Sequence, residues 1–226
     1  MLKQAITSVL LLLFISKIQQ LSAQSTDTGN WLMYFGNHAI NDRWNWHNEI
    51  QYRNYNMAGD LEQLLLRTGI GYNLSEGNNN LLIGYGYIHS QPYEADGLHK
   101  GRSDEHRIFQ QFITRHAVRR VHIQHRVRAE ERFFPGAFKA RGRYFLSLNI
   151  PLNQPTMGKN SLYLSAYNEI FLNARDKLFD RNRVYGGIGF GLHRAIRLEV
   201  GMMSQIYAHS LRNQFQIGIY NNLPFY

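Results

Sequence analysis

The sequence predicts an all-β protein, namely a closed antiparallel up-and-down transmembrane β-barrel of 10–12 strands. Apolar and polar residues alternate with period two over most of the chain, which is the pattern of β-strands with two unlike faces. The polar positions of this alternation are rich in Gly and Arg, and Arg far outnumbers Lys. Aromatic residues cluster near the ends of the predicted strands, as they do at the two interfaces of a membrane barrel.

Composition excludes several other classes of protein. The 226 residues contain no Cys, so disulfides, thiolate zinc sites and thiol nucleophiles are excluded. With 44% hydrophobic residues the chain is not disordered. A bundle of membrane helices needs repeated apolar stretches of about 20 residues, and only the N-terminus comes close to one. The formal net charge of +9 leaves an anionic partner open.

The first 23 residues have the pattern of a secretory signal peptide. Lys3 supplies the positive start, Ala5 to Ile15 forms a short apolar core, and Leu21 to Ala23 provides small residues for cleavage. We therefore expect a signal peptide over residues 1–23 and a single barrel domain over residues 24–226. Because an exported protein leaves the cytoplasm, nucleic acid is not an expected partner. Export is consistent with a location in the outer membrane of a two-membrane bacterium.

The stretch Val121 to Phe133 shows the alternation most clearly. Val121, Ile123 and Val127 share one parity, whereas Arg126 and Arg128 share the other. A strand places these two sets on opposite faces, while a helix would mix them. Similar stretches give eleven candidate strands: Trp31–His38, Trp44–Arg53, Leu64–Leu74, Leu81–Ser90, Glu105–Arg115, Val121–Phe133, Arg141–Ile150, Leu162–Leu172, Arg181–His193, Ile196–Tyr207 and Gln214–Ile219.

The number of strands is expected to be even. Bacterial outer-membrane barrels normally have an even number, so one of the eleven assignments should be a missed or a false strand. This reasoning gives ten to twelve strands of about 10 residues each.

The two faces are expected to be inverted relative to a water-soluble barrel, with apolar residues towards lipid and Arg towards the lumen. Arginine suits a confined interior because its planar fork pairs with carboxylates at two points. A final alternating strand that ends in Phe225 and Tyr226 is similar to the sorting signal of outer-membrane barrels. The expected aromatic girdle consists of Trp31, Trp44, Trp46, Tyr52, Tyr85 and Phe133.

Several stretches together resemble an uncharacterised family of secreted proteins, the domain of unknown function 2490. The resemblance implies an outer-membrane β-barrel and transfers no catalytic residue. It covers most of the chain after the signal peptide. The matching stretches are the start at Trp31, Trp44–Arg53, His106–Arg107 with Gln110–Gln111, His125–Arg132, Arg141–Tyr144, Asn168–Asn173 and Arg181–Gly191.

Charged residues of one parity predict a basic lumen in which Arg outnumbers Glu. A wet lumen of this kind would be a narrow channel that favours anions. A filled lumen would be locked by Arg–Glu pairs, and the bulk of Arg and Tyr favours this alternative. The expected lumen charge cluster consists of Arg126, Arg128, Glu130, Arg132, Arg141, Arg143, Glu169 and Arg183.

These patterns predict a structural or narrow-channel, porin-like barrel without enzymatic activity, cofactor or metal. Its expected partners are outer-membrane lipid and small anionic solutes. One alternative is a lipid-modifying hydrolase with a Ser/His pair at the rim, and the candidates are His89 with Ser90, His209 with Ser210, and Ser103 with His106. The other alternative is a soluble periplasmic β-barrel that binds an anionic or apolar ligand.

Overall fold

The structure is a computed structural model that describes residues 28–75, 78–175 and 177–225. The predicted signal peptide, residues 1–23, lies outside the described residues. Within the described ranges, no helix is long and apolar enough to cross a membrane.

The described residues form one closed barrel of eleven strands. The eleven strands predicted from the alternation correspond to these strands, with small differences at their ends. In chain order they are β1 (Gly29–Ala39), β2 (Trp44–Asn54), β3 (Leu61–Asn73), β4 (Asn79–Ser90), β5 (Ser103–Val118), β6 (Val121–Phe134), β7 (Ala137–Pro151), β8 (Leu162–Asn173), β9 (Phe179–Gly191), β10 (Ile196–Ile206) and β11 (Leu211–Asn221).

The barrel closes through a parallel pair between β1 and β11, in which Trp31 lies opposite Gln216. All other neighbouring strands are antiparallel and consecutive in sequence, as in a chain of hairpins. A chain of hairpins reverses direction at each turn, so the first and eleventh strands run the same way and can pair only in parallel. The expectations of an even strand number and of a fully antiparallel barrel are therefore wrong.

The two ends of the barrel are unlike. We call them the Ala39 end, where β1 finishes and β11 finishes, and the Gly29 end, where both begin. At the Gly29 end the connection of residues 91–102 is fastened to the connection of residues 55–60. The Lys100 ammonium binds the carboxylate of Asp60 and donates to the Leu61 carbonyl oxygen at 2.8 Å, and the Tyr93 hydroxyl donates to Asp60 at 2.9 Å. Burial alone would raise the pKa of Asp60, but these hydrogen bonds hold that pKa below its usual value.

The predicted orientation of the two faces is confirmed. In β6, Arg128 and Glu130 are each 1% exposed, whereas Val127, the residue before Arg128, is 55% exposed on the outer face. The inside therefore carries the charged groups and the outside the aliphatic ones, which is the reverse of a water-soluble barrel. Other large apolar side chains that are exposed on the outer face are Leu32, Ile50, Leu66, Ile83, Leu164, Ile188 and Val200.

Phe225 does not belong to the last strand, and Tyr226 lies outside the described residues. β11 ends at Asn221, and the following residues cross the end of β1. There the Phe225 amide donates to the Ala39 carbonyl oxygen at 3.0 Å, and the Phe225 ring lies 5.1 Å from that of His38. Pro224 has no N–H to give to a ladder, so a strand that continued through it would lack that hydrogen bond. The final alternating strand is present, but the expectation that it runs on to Phe225 is wrong.

Candidate functional site

The centre of the lumen is organised around the carboxylate of Glu130. Arg143 and Arg141 bind its two oxygens at 2.5 and 2.6 Å. Guanidinium nitrogens of Arg67, Arg128 and Arg107 lie farther from the carboxylate oxygens of Glu130, at 3.8, 3.8 and 4.0 Å. One buried carboxylate therefore faces five cations, which is a tightly coupled arrangement in an environment of low dielectric constant.

A second carboxylate, Glu169 of β8, extends the network towards the Ala39 end. Arg126 and Arg143 bind the same oxygen of Glu169 at 2.6 and 2.7 Å, and a nitrogen of Arg183 lies 3.7 Å from the other oxygen. Arg143 joins the two centres because it also binds Glu130. The structure thus brings together seven of the eight residues of the predicted cluster directly around these two carboxylates.

The eighth residue, Arg132, faces inward but binds a different acid. It contacts Glu105 of β5 at 2.6 Å, and Glu105 also binds Arg107. Sequence reasoning missed Glu105 and Arg107 because β5 alternates poorly. Its inward positions include Phe109 and its outward positions include Gln110, so polarity alone does not separate the two faces.

The half of the lumen near the Gly29 end is filled. Leu65, Ile88, Met203 and Gln214 point inward there and are fully buried, and Gln205 is almost so. An eight-stranded barrel is just filled by its side chains, and barrels of sixteen or more strands hold water. With eleven strands this barrel falls between those limits, and in the Gly29 half its large side chains and ion pairs occupy the interior.

A cavity of about 560 Å³ opens at the Ala39 end and extends inward along β1 and β2 as far as Trp31 and Arg53. Asn37, Asn73 and Asn222 line it near that end, and Arg128 and Glu169 line it at depth. Its volume falls within the usual range for small-molecule sites, about 300–1,000 Å³. The lumen is therefore a cup, open at one end, with a basic floor.

Trp31 stands inside this cup and not in the expected aromatic girdle. It is 3% exposed and packs with Tyr185 and Met203, and the guanidinium of Arg53 lies 3.9 Å from the centre of its ring. The other members of the expected girdle lie on the outer face and are exposed. Trp44 and Trp46 are near the Ala39 end, Tyr52 and Phe133 are near the Gly29 end, and Tyr85 is in the middle of β4.

The histidines proposed for a rim hydrolase have other partners. His89 on the outer face bonds to Asp104 at 2.7 Å, whereas the Ser90 hydroxyl accepts a hydrogen bond from Gln63 at 2.8 Å. His106 bonds to the Tyr85 hydroxyl at 2.5 Å. Among the hydrogen bonds of the described residues, none joins a histidine ring to a serine hydroxyl.

Comparison with known proteins identifies the family of this chain but not its activity. No match was found among the curated proteins or among the solved structures. The model of a family described as a protein of unknown function (DUF2490) matches residues 28–216, which is most of the chain and includes all the lumen residues described above apart from Asn222. The chain therefore belongs to the DUF2490 family.

Proposed function

We propose that the protein is an outer-membrane β-barrel with a one-ended lumen, which acts as a receptor for a solute and does not conduct it. Support for the membrane comes from the outer face, where large apolar side chains are exposed on every side of the barrel. Soluble monomers rarely expose contiguous apolar patches larger than a few hundred Å². Acyl chains would cover this face, and the tyrosines and tryptophans near the two ends suit the interfaces.

The observation that carries the receptor role is the difference between the two halves of the lumen. A cavity opens at the Ala39 end, and below it the interior is occupied by buried side chains and by ion pairs such as Arg132–Glu105 and Arg141–Asp180. A solute that enters the cup therefore meets a wall of side chains. The proposed role involves binding without a chemical step.

The three tryptophans test the membrane part of this proposal. Trp44 is 43% exposed on the outer face, whereas Trp31 is 3% exposed inside the cup. In vesicles of lipids with brominated acyl chains, we expect strong quenching of fluorescence in the W31F/W46F variant, which retains Trp44. We expect little quenching in the W44F/W46F variant, which retains Trp31. Vesicles without bromine provide the control. Equal quenching of the two variants, or a protein that stays dissolved without detergent, would show that the outer face does not meet lipid.

The filled half of the lumen predicts an absence of conductance. In planar bilayers, the unmodified protein should give no discrete openings at neutral pH, because buried side chains and ion pairs of the described residues occupy the lumen near the Gly29 end. Discrete, anion-selective openings would contradict the receptor role and favour a narrow channel. Insertion must be verified in the same bilayers, for example by protease protection of the reconstituted protein.

A further inference from the structure

Three buried arginines that line the cup have glutamines, and not carboxylates, as their hydrogen-bond partners. Arg53, Arg128 and Arg183 are each less than a tenth exposed. The closest carboxylate oxygens to Arg128 and Arg183 are 3.8 and 3.7 Å away, beyond hydrogen-bond reach. The glutamine partners are Gln51 at 2.9 Å and Gln63 at 2.6 Å for Arg53, Gln111 at 2.6 and 2.9 Å for Arg128, and Gln205 at 2.8 Å for Arg183.

A glutamine oxygen satisfies an N–H group but does not neutralise a charge. Arginine keeps its proton in proteins, so each of these guanidinium groups remains a cation at any physiological pH. Burial of an uncompensated charge is strongly unfavourable, and proteins usually provide a counter-charge. The stacking of Arg53 and Arg183 on the ring of Trp31, at 3.9 and 4.8 Å, lowers the cost of burial but leaves the charge in place.

Residues of the same lining carry unpartnered donors. Among the buried side-chain atoms of the described residues, six nitrogens of lining residues have no hydrogen-bond partner: the Nε2 of His47, which is a donor in only one tautomer, and five N–H groups. No side-chain oxygen on that lining is both buried and unpartnered. The lining carries eight arginines against two carboxylates, Glu49 and Glu169, so it has an excess of donors and of positive charge, and one kind of ligand can supply both acceptors and negative charge. The five groups belong to Trp31 (Nε1), Arg67 (Nε), Arg126 (Nε), Arg128 (Nη1) and Gln216 (Nε2).

We propose that the cup binds a small solute with two or more oxyanion groups, either carboxylate or phosphate, which enters at the Ala39 end. This inference rests on the proposed one-ended lumen, because it uses the same cavity. Guanidinium groups bind such oxyanions at two points, and the Nη1 of Arg128, a residue of the lining, has no hydrogen-bond partner. Phe145 and Tyr167, which also line the cup, offer apolar surface to the body of the solute.

Calorimetry on the full barrel in detergent micelles tests this site with two probes, sodium citrate and inorganic phosphate. At constant ionic strength, we expect saturable binding of at least one probe. The probe that binds more tightly identifies whether the site prefers carboxylate or phosphate. Tetramethylammonium chloride should give no saturable signal. In the W44F/W46F variant, the same titration should shift the emission of Trp31, because the ligand contacts the arginines that stack on its ring.

The Arg128→Gln variant should weaken binding of that probe by about tenfold or more, since one desolvated charge contact is lost. Its thermal stability should be equal to or higher than that of the unmodified protein, because Arg128 makes no direct ion pair and one of the five cations crowded around Glu130 has been removed. Arg183→Gln is the second variant if Arg128→Gln does not fold. Arg175 lies exposed in the connection after β8, so Arg175→Gln controls for the loss of one positive charge and should leave the affinity unchanged.

Two results would overturn the site. The first is an absence of saturable binding with both citrate and phosphate. The second is an equal loss of affinity in Arg128→Gln and Arg175→Gln, which would indicate general charge screening. Either result leaves the proposed function standing if the quenching and conductance experiments succeed. Failure of those experiments, in contrast, contradicts the membrane receptor whatever the probes do.

Discussion

The Glu130→Gln variant is expected to lose most or all of the stability of the barrel. The change removes a carboxylate charge that faces five guanidinium groups within 4.0 Å, two of them in direct ion pairs. Removal of one partner of a buried ion pair typically costs about 3–5 kcal/mol, because the other charge is left buried without compensation. Here two arginines lose their closest counter-charge at once, and a whole domain is stable by only about 5–15 kcal/mol.

Urea unfolding in detergent micelles, followed by tryptophan fluorescence, measures this loss. Glu131→Gln is a matched control because it is the same substitution one residue later, on the opposite face of β6. Its side chain has only a long contact, 3.4 Å, to Gln110. We expect the control to change stability by no more than about 0.5 kcal/mol. Similar effects of the two substitutions would mean that the charge network does not hold the barrel together.

The Gly189→Ala variant is expected to destabilise the barrel strongly. A methyl group at Gly189 would overlap the ring of Tyr163, which is fully buried and donates from its hydroxyl to Glu199 at 2.9 Å. The ring would have to swing away and lose that hydrogen bond. Overpacking of a core costs about 1–3 kcal/mol. A hydrogen bond to a charged acceptor contributes about 1.5–3 kcal/mol.

Gly186→Ala in the same strand provides the control. An added methyl group there has no neighbouring atom within 4 Å, so the same loss of backbone freedom occurs without the clash. We expect Gly186→Ala to be neutral or slightly stabilising in the urea titration. A Gly189→Ala variant that is as stable as Gly186→Ala would show that the Tyr163 ring can adopt another position without loss of stability.

The alternation of apolar and polar residues with period two was sufficient to predict most of the strands and which residues lie on each of their faces. It failed in β1, where Trp31 and Met33 share one parity and Leu32 and Tyr34 share the other. Both faces of that strand are apolar, so no contrast in polarity shows which one points inward. The pairing with β2 and β11 decides it, and that pairing is a property of the closed barrel and not of the strand.

The same limit applies to the network of charges. Parity predicted that Arg132 and Glu130 face the lumen, yet Arg132 binds Glu105 and the carboxylate of Glu130 goes to Arg141 and Arg143. Neighbours across a barrel depend on the stagger between strands, which a single sequence does not display. Contacts such as Arg126 with Glu169, 43 positions apart, are therefore visible only in the structure.

The parallel seam between β1 and β11 gives the molecule a direction. A reporter enzyme fused after Phe225 would share a compartment with the mouth of the cup, and a reporter fused ahead of Gly29 would share one with the sealed end. In a barrel with an even strand number, both fusions would emerge together. Paired fusions of this kind would thus tell which side of a bilayer the solute comes from.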